Sequence, residues 1–445
     1  MQVSVIGLGK LGAPLLAVLA SRGHEVIGID INADFVEKIN RGMAPVEEPL
    51  LQELISTHRL KISATSRYRE AILATDITFV IVPTPSGREG LFSNRYLLQA
   101  VESLGEFLKE KSTYHLVVIT STTVPGSAAG EIKNALEHAS GRTIGNNLGL
   151  CYSPEFVALG SVVRNMLFPD MILIGESDKR AGDLLESIYR TICENTPPIR
   201  RMNLVNAELA KIAINTFVTT KISYANMLSD ICQRLPDADV DTVTEAVGLD
   251  SRIGNKYLRA AVAFGGPCFP RDNIALRVFA EKIGARADLA QATQEINQYQ
   301  LQRLVDLIEQ NTKTNRIGIL GLSYKAGTYV VEESPGIAIA NHLSEKGYTL
   351  SVYDPVALIE AKKNFSADIQ ATSSVAECLQ RSDTVLIMTP WPEFSQAITP
   401  ELLAEMSPKI IIDPWRLLPS IYSTLCDLIY LGRGTENLTG TLDHG

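Results

Sequence analysis

Length, composition and charge describe a globular protein of several domains. The chain has 445 residues, about three times the ~150 residues typical of one domain, so we expect two or three domains. Hydrophobic residues make up 45% and charged residues 20%, which excludes collagen-like, disordered and coiled-coil classes. The formal charge of -9 and the lack of a basic run argue against nucleic acid as a partner.

Cysteine usage and the N-terminus indicate the compartment. Six cysteines are widely spaced without a Cys-x-x-Cys pair, so neither a metal site nor a disulfide framework is predicted. The opening MQVSVIGLGKLG lacks the features of a secretory signal. No apolar stretch reaches the roughly 18 residues of a membrane span. We therefore expect a soluble cytoplasmic protein with reduced thiols and no membrane partner.

The first thirty residues predict a dinucleotide-binding βαβ unit. A strand at Val3–Ile6 precedes the turn GLGKLG, an apolar helix over 13–20 and a second strand ending in Asp30. A bare GxGxxG also occurs in chance turns, but these flanking elements favour a nucleotide site. Asp30 would bind ribose hydroxyls and repel a 2′-phosphate, which favours NAD over NADP. The predicted cofactor contacts here are Gly7, Leu8, Gly9, Lys10, Leu11, Gly12 and Asp30.

Two later strands end in polar loops. The run 76–82 leads into Pro83 and Thr84, and the run 116–119 leads into a loop that contains Thr122. Ligands of parallel sheets bind at the carboxyl ends of strands, so these loops are expected to line the nicotinamide. The alternative is that they are ordinary turns.

The middle of the chain supplies candidate chemistry. A helical pattern over 207–228 predicts one long, largely buried helix, on which Lys211 and Asn215 share a face. The commoner alternative for Lys211 is a salt bridge at a helix rim. Cys268 follows a Gly-Gly pair and precedes Arg271 and Asp272. A nearby cation would favour the nucleophilic thiolate, although a lone cysteine is more often a small core residue.

The last third predicts a second α/β domain with a parallel sheet. Strand patterns at 316–320, 350–353, 384–388 and 409–413 alternate with helical ones, including 334–344. It lacks an intact GxGxxG, so a second dinucleotide is not predicted.

These motifs together resemble the UDP-glucose/GDP-mannose dehydrogenase family over nearly the whole length. The supporting motifs are GLGKLG with Asp30, VPTP at 82–85, STTVPGS at 121–127, SPEF at 153–156, AELAKIAIN at 207–215, FGGPCFPRD at 264–272 and LGLSYKAGT at 320–328. The resemblance implies an α/β fold in which an N-terminal Rossmann domain and a C-terminal Rossmann-like domain flank a central long-helix segment. The implied domains are 1–200 for NAD, 201–300 for the central segment with the dimer interface, and 310–445 for the nucleotide sugar.

The resemblance also implies the reaction. A sugar C6 hydroxyl is oxidised to a carboxylate by two NAD+ without a metal, through a thiohemiacetal and a thioester on Cys268. Lys211 and Asn215 would stabilise oxyanions, Asp272 would help activate water, and Thr122 and Glu155 would complete the polar surround. The implied substrate contacts are Glu155, Phe156, Lys211, Asn215, Arg252, Tyr257, Phe264, Gly265 and Lys325, and the remaining cofactor contacts are Pro83, Thr84, Thr122 and Lys325.

Several positions depart from the family pattern. Ala260-Ala261 replaces Pro-Gly before the cysteine loop, Pro267 replaces Ser and Arg271 replaces Lys. Glu332 stands where an arginine usually binds the substrate, and a carboxylate there would repel a pyrophosphate. A UDP-hexose or UDP-N-acetylhexosamine is the favoured substrate. The alternatives are GDP-mannose, an unusual nucleotide substrate in a biosynthetic cluster, and a catalytically silent NAD-binding paralogue.

Overall fold

The computed structural model describes residues 1–406 and 409–434. It divides into two compact units, Met1–Ala213 and Ile214–Gly445, and the division falls within one long helix. Each unit contains helices around its own largely parallel sheet, so the predicted α/β fold class is confirmed. Residues 435–445 of the predicted C-terminal domain lie outside the described part of the chain.

The first unit is built on eight strands, which are β1 Gln2–Ile6, β2 Glu25–Ile29, β3 Ile62–Thr65, β4 Ile77–Val80, β5 His115–Ile119, β6 Leu148–Tyr152, β7 Ile172–Glu176 and β8 Ile199–Asn203. They pair in the order β3-β2-β1-β4-β5-β6-β7-β8. Strands β6 and β7 are antiparallel, whereas the other neighbours are parallel. Strand β1 lies centrally, with Val3 paired to both Val26 and Ile77. Its position between β2 and β4 brings their carboxyl ends to one edge.

The helices of the first unit cover both faces of this sheet. They are α1 Gly12–Ser21, α2 Ala33–Asn40, α3 Leu51–Thr57, α4 Tyr68–Ala74, α5 Arg95–Leu108, α6 Lys133–Ser140, α7 Val162–Leu167 and α8 Lys179–Ile192. Helix α1 is apolar all round and buried from Gly12 to Ala20, which is expected for a helix packed between the sheet and other helices. One core contains Val5, Leu16 and Phe79, and the other contains Leu104 and Val117.

The described residues of the second unit form six parallel strands in the order β11-β10-β9-β12-β13-β14. The strands are β9 Arg316–Leu320, β10 Thr349–Tyr353, β11 Gln370–Ala371, β12 Thr384–Ile387, β13 Ile410–Ile412 and β14 Asp427–Ile429. The helices are α9 Leu204–Gln233, which begins in the first unit, α10 Val240–Leu249, α11 Phe269–Lys282, α12 Asp288–Asn311, α13 Pro335–Glu345, α14 Leu358–Lys362, α15 Val375–Arg381, α16 Pro392–Ala397 and α17 Pro400–Ala404.

Helix α9 differs from its prediction. It is longer than 207–228, and it is not largely buried, since Phe217, Tyr224, Met227 and Ile231 are each at least 36% exposed. The apolar composition of α9 predicts burial within one chain. The four exposed side chains instead form an outward-facing side of the helix. Among the described residues, no helix is long and apolar enough to cross a membrane.

Candidate active site

The glycine turn after β1 has the geometry of a phosphate-binding loop. Gly7 has a φ of +93°, and a Cβ there would lie 2.1 Å from the Ile81 carbonyl oxygen. A Cβ on Gly12 would lie 1.7 Å from the Gly7 carbonyl oxygen. Gly9 is different, because a Cβ on it would meet nothing within 4 Å. Two glycines are therefore required by the fold, and the third leaves open space above the turn.

Asp30 lies beside this open space at the end of β2. Its carboxylate accepts a hydrogen bond of 2.6 Å from the Leu8 N–H and one of 2.7 Å from the Asn32 N–H. Helix α1 starts at Gly12 without a side-chain cap. The Ala13 N–H donates to the Gly9 carbonyl at 3.1 Å and Pro14 has no N–H, so an anion is favoured here by the positive end of the helix dipole. These residues fit NAD, whose pyrophosphate would lie over Gly9 and whose ribose hydroxyls would bind Asp30.

The corresponding turn in the second unit is closed. Gly321 follows β9 with a φ of +103°, and Asp354 follows β10. Asp354 is only 2% exposed, and its Oδ2 accepts hydrogen bonds from the Leu322 N–H, the Ser323 N–H and hydroxyl, and the Trp391 indole. Its Oδ1 accepts hydrogen bonds from the Val356 and Ala357 N–H groups, so both carboxylate oxygens are engaged within the protein. This arrangement gives a physical reason why the second turn does not repeat the first.

The loops after β4 and β5 are joined. The Ser121 hydroxyl donates to the Val82 carbonyl at 2.7 Å and accepts from the Val82 N–H at 2.9 Å. The Thr84 hydroxyl donates to the Thr122 carbonyl at 2.7 Å. Thr84 is buried, whereas Pro83 is exposed and Thr122 is partly exposed. The buried Thr84 therefore holds the two loops together. Pro83 and Thr122 lie at the surface of these loops.

Lys211 contacts the loop after β6. Its ammonium donates to the Glu155 carbonyl oxygen at 2.8 Å and lies 4.5 Å from the centroid of the Phe156 ring. Burial raises the pKa of the Glu155 carboxyl to about 7, against an opposing effect of Lys211. A carboxyl with this pKa can both accept and release a proton near neutral pH. The structure thus brings Lys211 into contact with Glu155 and Phe156, which lie in a different motif of the sequence.

Cys268 lies at the start of helix α11. It is exposed, and the helix begins at the next residue. Asp272, on the first turn, is 1% exposed and accepts a hydrogen bond of 2.6 Å from the Asn215 side-chain amide. The Arg271 Nε is 3.7 Å from the other Asp272 oxygen. The N-terminal end of a helix favours a negative charge, so the position suits a thiolate nucleophile.

The glycines before Cys268 allow another chain segment to pack closely. The Gly266 N–H donates to the Glu332 carbonyl at 3.1 Å, and a Cβ on Gly266 would lie 2.5 Å from the Tyr324 ring. A Cβ on Gly265 would lie 2.1 Å from the Glu333 carbonyl oxygen. Glu332, the departure from the family arginine, is therefore a backbone neighbour of the cysteine loop, and its side chain is exposed.

The remaining predicted substrate residues lie in the second unit. The Phe264 N–H donates to Asn297 at 2.7 Å, which anchors the cysteine loop. Arg252 is exposed and pairs with Asp250 at 2.5 Å. Tyr257 has a φ of +62° and is 55% exposed. The Lys325 ammonium lies 5.9 Å from the Tyr324 ring centroid. Lys10 and Leu11 lie at the surface of the glycine turn.

Sequence comparisons identify the family. The UDP-glucose/GDP-mannose dehydrogenase family matches in its NAD binding domain over residues 1–193, its central domain over 205–299 and its UDP binding domain over 318–420. The UDP-glucose 6-dehydrogenase AglM of Haloferax volcanii is 37% identical, covering 94% of this chain and 97% of that protein. The GDP-mannose 6-dehydrogenase of Pseudomonas aeruginosa is 35% identical, covering 80% of this chain and 81% of that protein.

A solved structure agrees with these relatives. The UDP-glucose dehydrogenase of Pyrobaculum islandicum superposes with a TM-score of 0.87 at 32% identity, covering 96% of each chain. The chain belongs to the UDP-glucose/GDP-mannose dehydrogenase family. It is an NAD-dependent dehydrogenase of nucleotide sugars, as its sequence predicted.

Proposed function

We propose that the enzyme oxidises the C6 hydroxyl of a nucleotide-linked hexose to a carboxylate through a covalent intermediate on Cys268. One observation carries this proposal. Cys268 is exposed at the N-terminal end of α11, and Asp272, held by Asn215, lies on the first turn of the same helix. A nucleophile beside a fixed carboxylate is suited to forming and then hydrolysing an acyl intermediate.

The steps balance as two oxidations and one hydrolysis. The alcohol first loses a proton and a hydride to give an aldehyde. The Cys268 thiolate adds to the aldehyde carbon, and the resulting thiohemiacetal loses a second hydride to become a thioester. Water cleaves the C–S bond, releasing the carboxylate and restoring the thiol. One alcohol, two NAD+ and one water thus yield one carboxylate, two NADH and three protons. When bound, NAD+ supplies the acceptor for the hydride of each oxidation.

The polar residues have separate roles in this proposal. Lys211 provides a positive charge for the oxyanions, and its contacts with Glu155 and Phe156 hold its ammonium in place. Glu155 exchanges protons near neutral pH, as the raised pKa of its carboxyl allows. Asp272 orients or deprotonates the hydrolytic water, and Thr122 contributes a hydroxyl from the loop after β5.

A UDP-linked hexose or N-acetylhexosamine is our first choice of substrate. The C-terminal part matches a UDP binding domain, and a relative named as a UDP-glucose 6-dehydrogenase covers nearly the whole chain. GDP-mannose is the second choice because relatives of similar identity are named for it. Glu332 is exposed beside the cysteine loop, and its carboxylate would repel an anionic group. A third candidate is therefore a substrate that lacks the usual anionic group at this position.

Assembly and compartment form part of the proposal. Phe217, Tyr224, Met227 and Ile231 expose apolar side chains along α9, and covering them would bury apolar surface. We therefore favour a homodimer through the central segment 201–300, which lies between the NAD domain 1–200 and the nucleotide-sugar domain 310–445. None of the six cysteines, all within the described residues, forms a disulfide, in keeping with the reducing cytoplasm.

The test is a panel of UDP- and GDP-sugars assayed for NADH and for the acid product. The preferred sugar should give a nucleotide-linked uronic acid. Cys268→Ser should abolish release of that acid, whereas Cys426→Ser, at a buried thiol of the second unit, should retain it. Undiminished acid release by Cys268→Ser would contradict the covalent mechanism. Failure on every sugar would favour the altered-substrate or silent alternatives.

A further inference from the structure

We infer that Glu208 is a positioning residue that holds the loop after β5 against helix α9 in the geometry needed for hydride transfer. Glu208 is 0% exposed. Its Oε1 accepts hydrogen bonds from the Thr123 hydroxyl at 2.7 Å and the Ala128 N–H at 2.8 Å, and its Oε2 accepts one from the Gly126 N–H at 2.7 Å. One side chain thus binds three points of the loop over 120–128, all within the first unit.

These bonds reach the candidate site through Thr122. That residue is next to Thr123, and its carbonyl accepts the hydrogen bond from Thr84. The Ser121 hydroxyl joins the same loop to Val82, because it binds both the N–H and the carbonyl of Val82. The loops after β4 and β5 therefore behave as one layer, and Glu208 connects that layer to α9.

The same helix holds the loop after β6. Lys211, about one helical turn beyond Glu208, donates to the Glu155 carbonyl at 2.8 Å. A shift of α9 relative to the loop over 120–128 would therefore move the ammonium of Lys211 relative to Thr122. Misplacement by about 1 Å can lower an enzymatic rate by about 100-fold. Glu208 is placed to prevent such a shift without touching the reacting atoms.

The chemistry of the three donors explains why a carboxylate is needed. Two donors are backbone N–H groups, which cannot turn around to accept. The pKa of Glu208 is raised, chiefly by burial, and the three hydrogen bonds offset only part of that rise; the hydrogen bonds themselves favour the ionised form. A glutamine has the same shape but directs an NH2 group at one of these donors, which leaves a buried N–H without its acceptor.

The experiment compares Glu208→Gln with Glu137→Gln. Glu137 is a matched control because it also accepts a backbone N–H, from Ile144 at 2.9 Å. We expect Glu208→Gln to lower kcat about 10- to 100-fold, with a smaller change in KM for the nucleotide sugar. We also expect at least about 10-fold faster hydrogen exchange in the segment 120–128. Glu137→Gln should change neither kcat nor exchange in that segment.

A second pair keeps the inference testable if Glu208→Gln does not fold. Thr123→Val removes one donor and should lower kcat about 3- to 10-fold. Thr123→Ser keeps the hydroxyl and should have the wild-type kcat. Wild-type kcat in folded Glu208→Gln, or equal impairment by Thr123→Val and Thr123→Ser, would overturn the inference. The inference about Glu208 rests on the dehydrogenase function proposed above. Wild-type protein without activity on any sugar would instead refute that function, and exchange in 120–128 would still decide whether Glu208 holds the loop.

Discussion

Two glycines of the same turn should respond in opposite ways to a methyl group. In Gly12→Ala the new Cβ would lie 1.7 Å from the Gly7 carbonyl oxygen, against the 3.0 Å below which real Cβ contacts essentially do not occur. The backbone must move, because neither partner is a flexible side chain. In Gly9→Ala the Cβ meets nothing within 4 Å, so the methyl enters the space that we assign to the pyrophosphate.

The magnitudes follow from these distances. Overpacking costs about 1–3 kcal/mol, with a backbone clash at the upper end, and the better helix propensity of Ala returns up to about 1 kcal/mol. Gly12→Ala should therefore destabilise the first unit by about 2 kcal/mol, which lowers its melting temperature by about 4–8 °C. Gly9→Ala should melt within about 2 °C of wild type and should raise KM for NAD about 10-fold, equivalent to about 1.4 kcal/mol of binding.

The assay combines thermal unfolding with steady-state kinetics on both variants. The diagnostic result is the separation of the two effects, with stability lost in Gly12→Ala and NAD affinity lost in Gly9→Ala. A Gly9→Ala enzyme with the wild-type KM for NAD would refute the placement of the cofactor. A Gly12→Ala protein as stable as wild type would refute the packing argument.

Three further predictions concern the cofactor, pH and assembly. Asp30→Asn removes the charge that repels a 2′-phosphate and should raise kcat/KM for NADP relative to NAD about 10-fold. Burial lowers the pKa of His115 from 6.5 to about 3, so below pH 6.5 the unfolded state binds a proton that the folded state excludes. The first unit should therefore lose up to about 5 kcal/mol as pH falls from 6.5 to 3, and His115→Gln should show a shallower loss in acid unfolding curves. If the proposed homodimer forms through α9, Phe217→Glu should shift it to monomer in sedimentation measurements.

A specific result would contradict each of these predictions. Equal use of NADP and NAD by the wild type would remove the role given to Asp30. For His115, which is 0% exposed and contacts Thr78 at 2.8 Å, an unchanged pH dependence in the variant would show that other groups dominate. Leu249→Glu, at a residue 87% exposed on α10, is the control for Phe217→Glu. A monomeric wild type would contradict the dimer.

Local patterns were the part of the fold that the sequence could predict. Strand β1, the glycine turn, α1 and β2 follow from residues adjacent in the chain, and the structure places them within one residue or so of the predicted bounds. The antiparallel pairing of β6 with β7 had no comparable signal, because it depends on a connection and on partners far apart in sequence. The exposed side of α9 was missed because an apolar helix face at the surface has the same composition as a buried one.

In the candidate site, too, local sequence patterns could be predicted and long-range contacts could not. The Cys268 loop was predicted as a loop, but α11 starts immediately after it with Pro270 in its first turn, a helix-start signal that was overlooked. Glu208 stands in the AELAK motif next to predicted residues, yet its function depends on donors about 80 residues earlier. The hydrogen bonds that close Asp354 likewise come from segments separated by more than thirty residues. Such long-range contacts cannot be read from spacing.

The central claim is that one site performs two oxidations with a covalent intermediate on Cys268. The most direct measurement is the number of NADH molecules formed for each nucleotide sugar consumed, with the product identified by mass spectrometry. Our account predicts two NADH and a carboxylic acid for each sugar. One NADH for each sugar, with an aldehyde or ketone as the product, would contradict it.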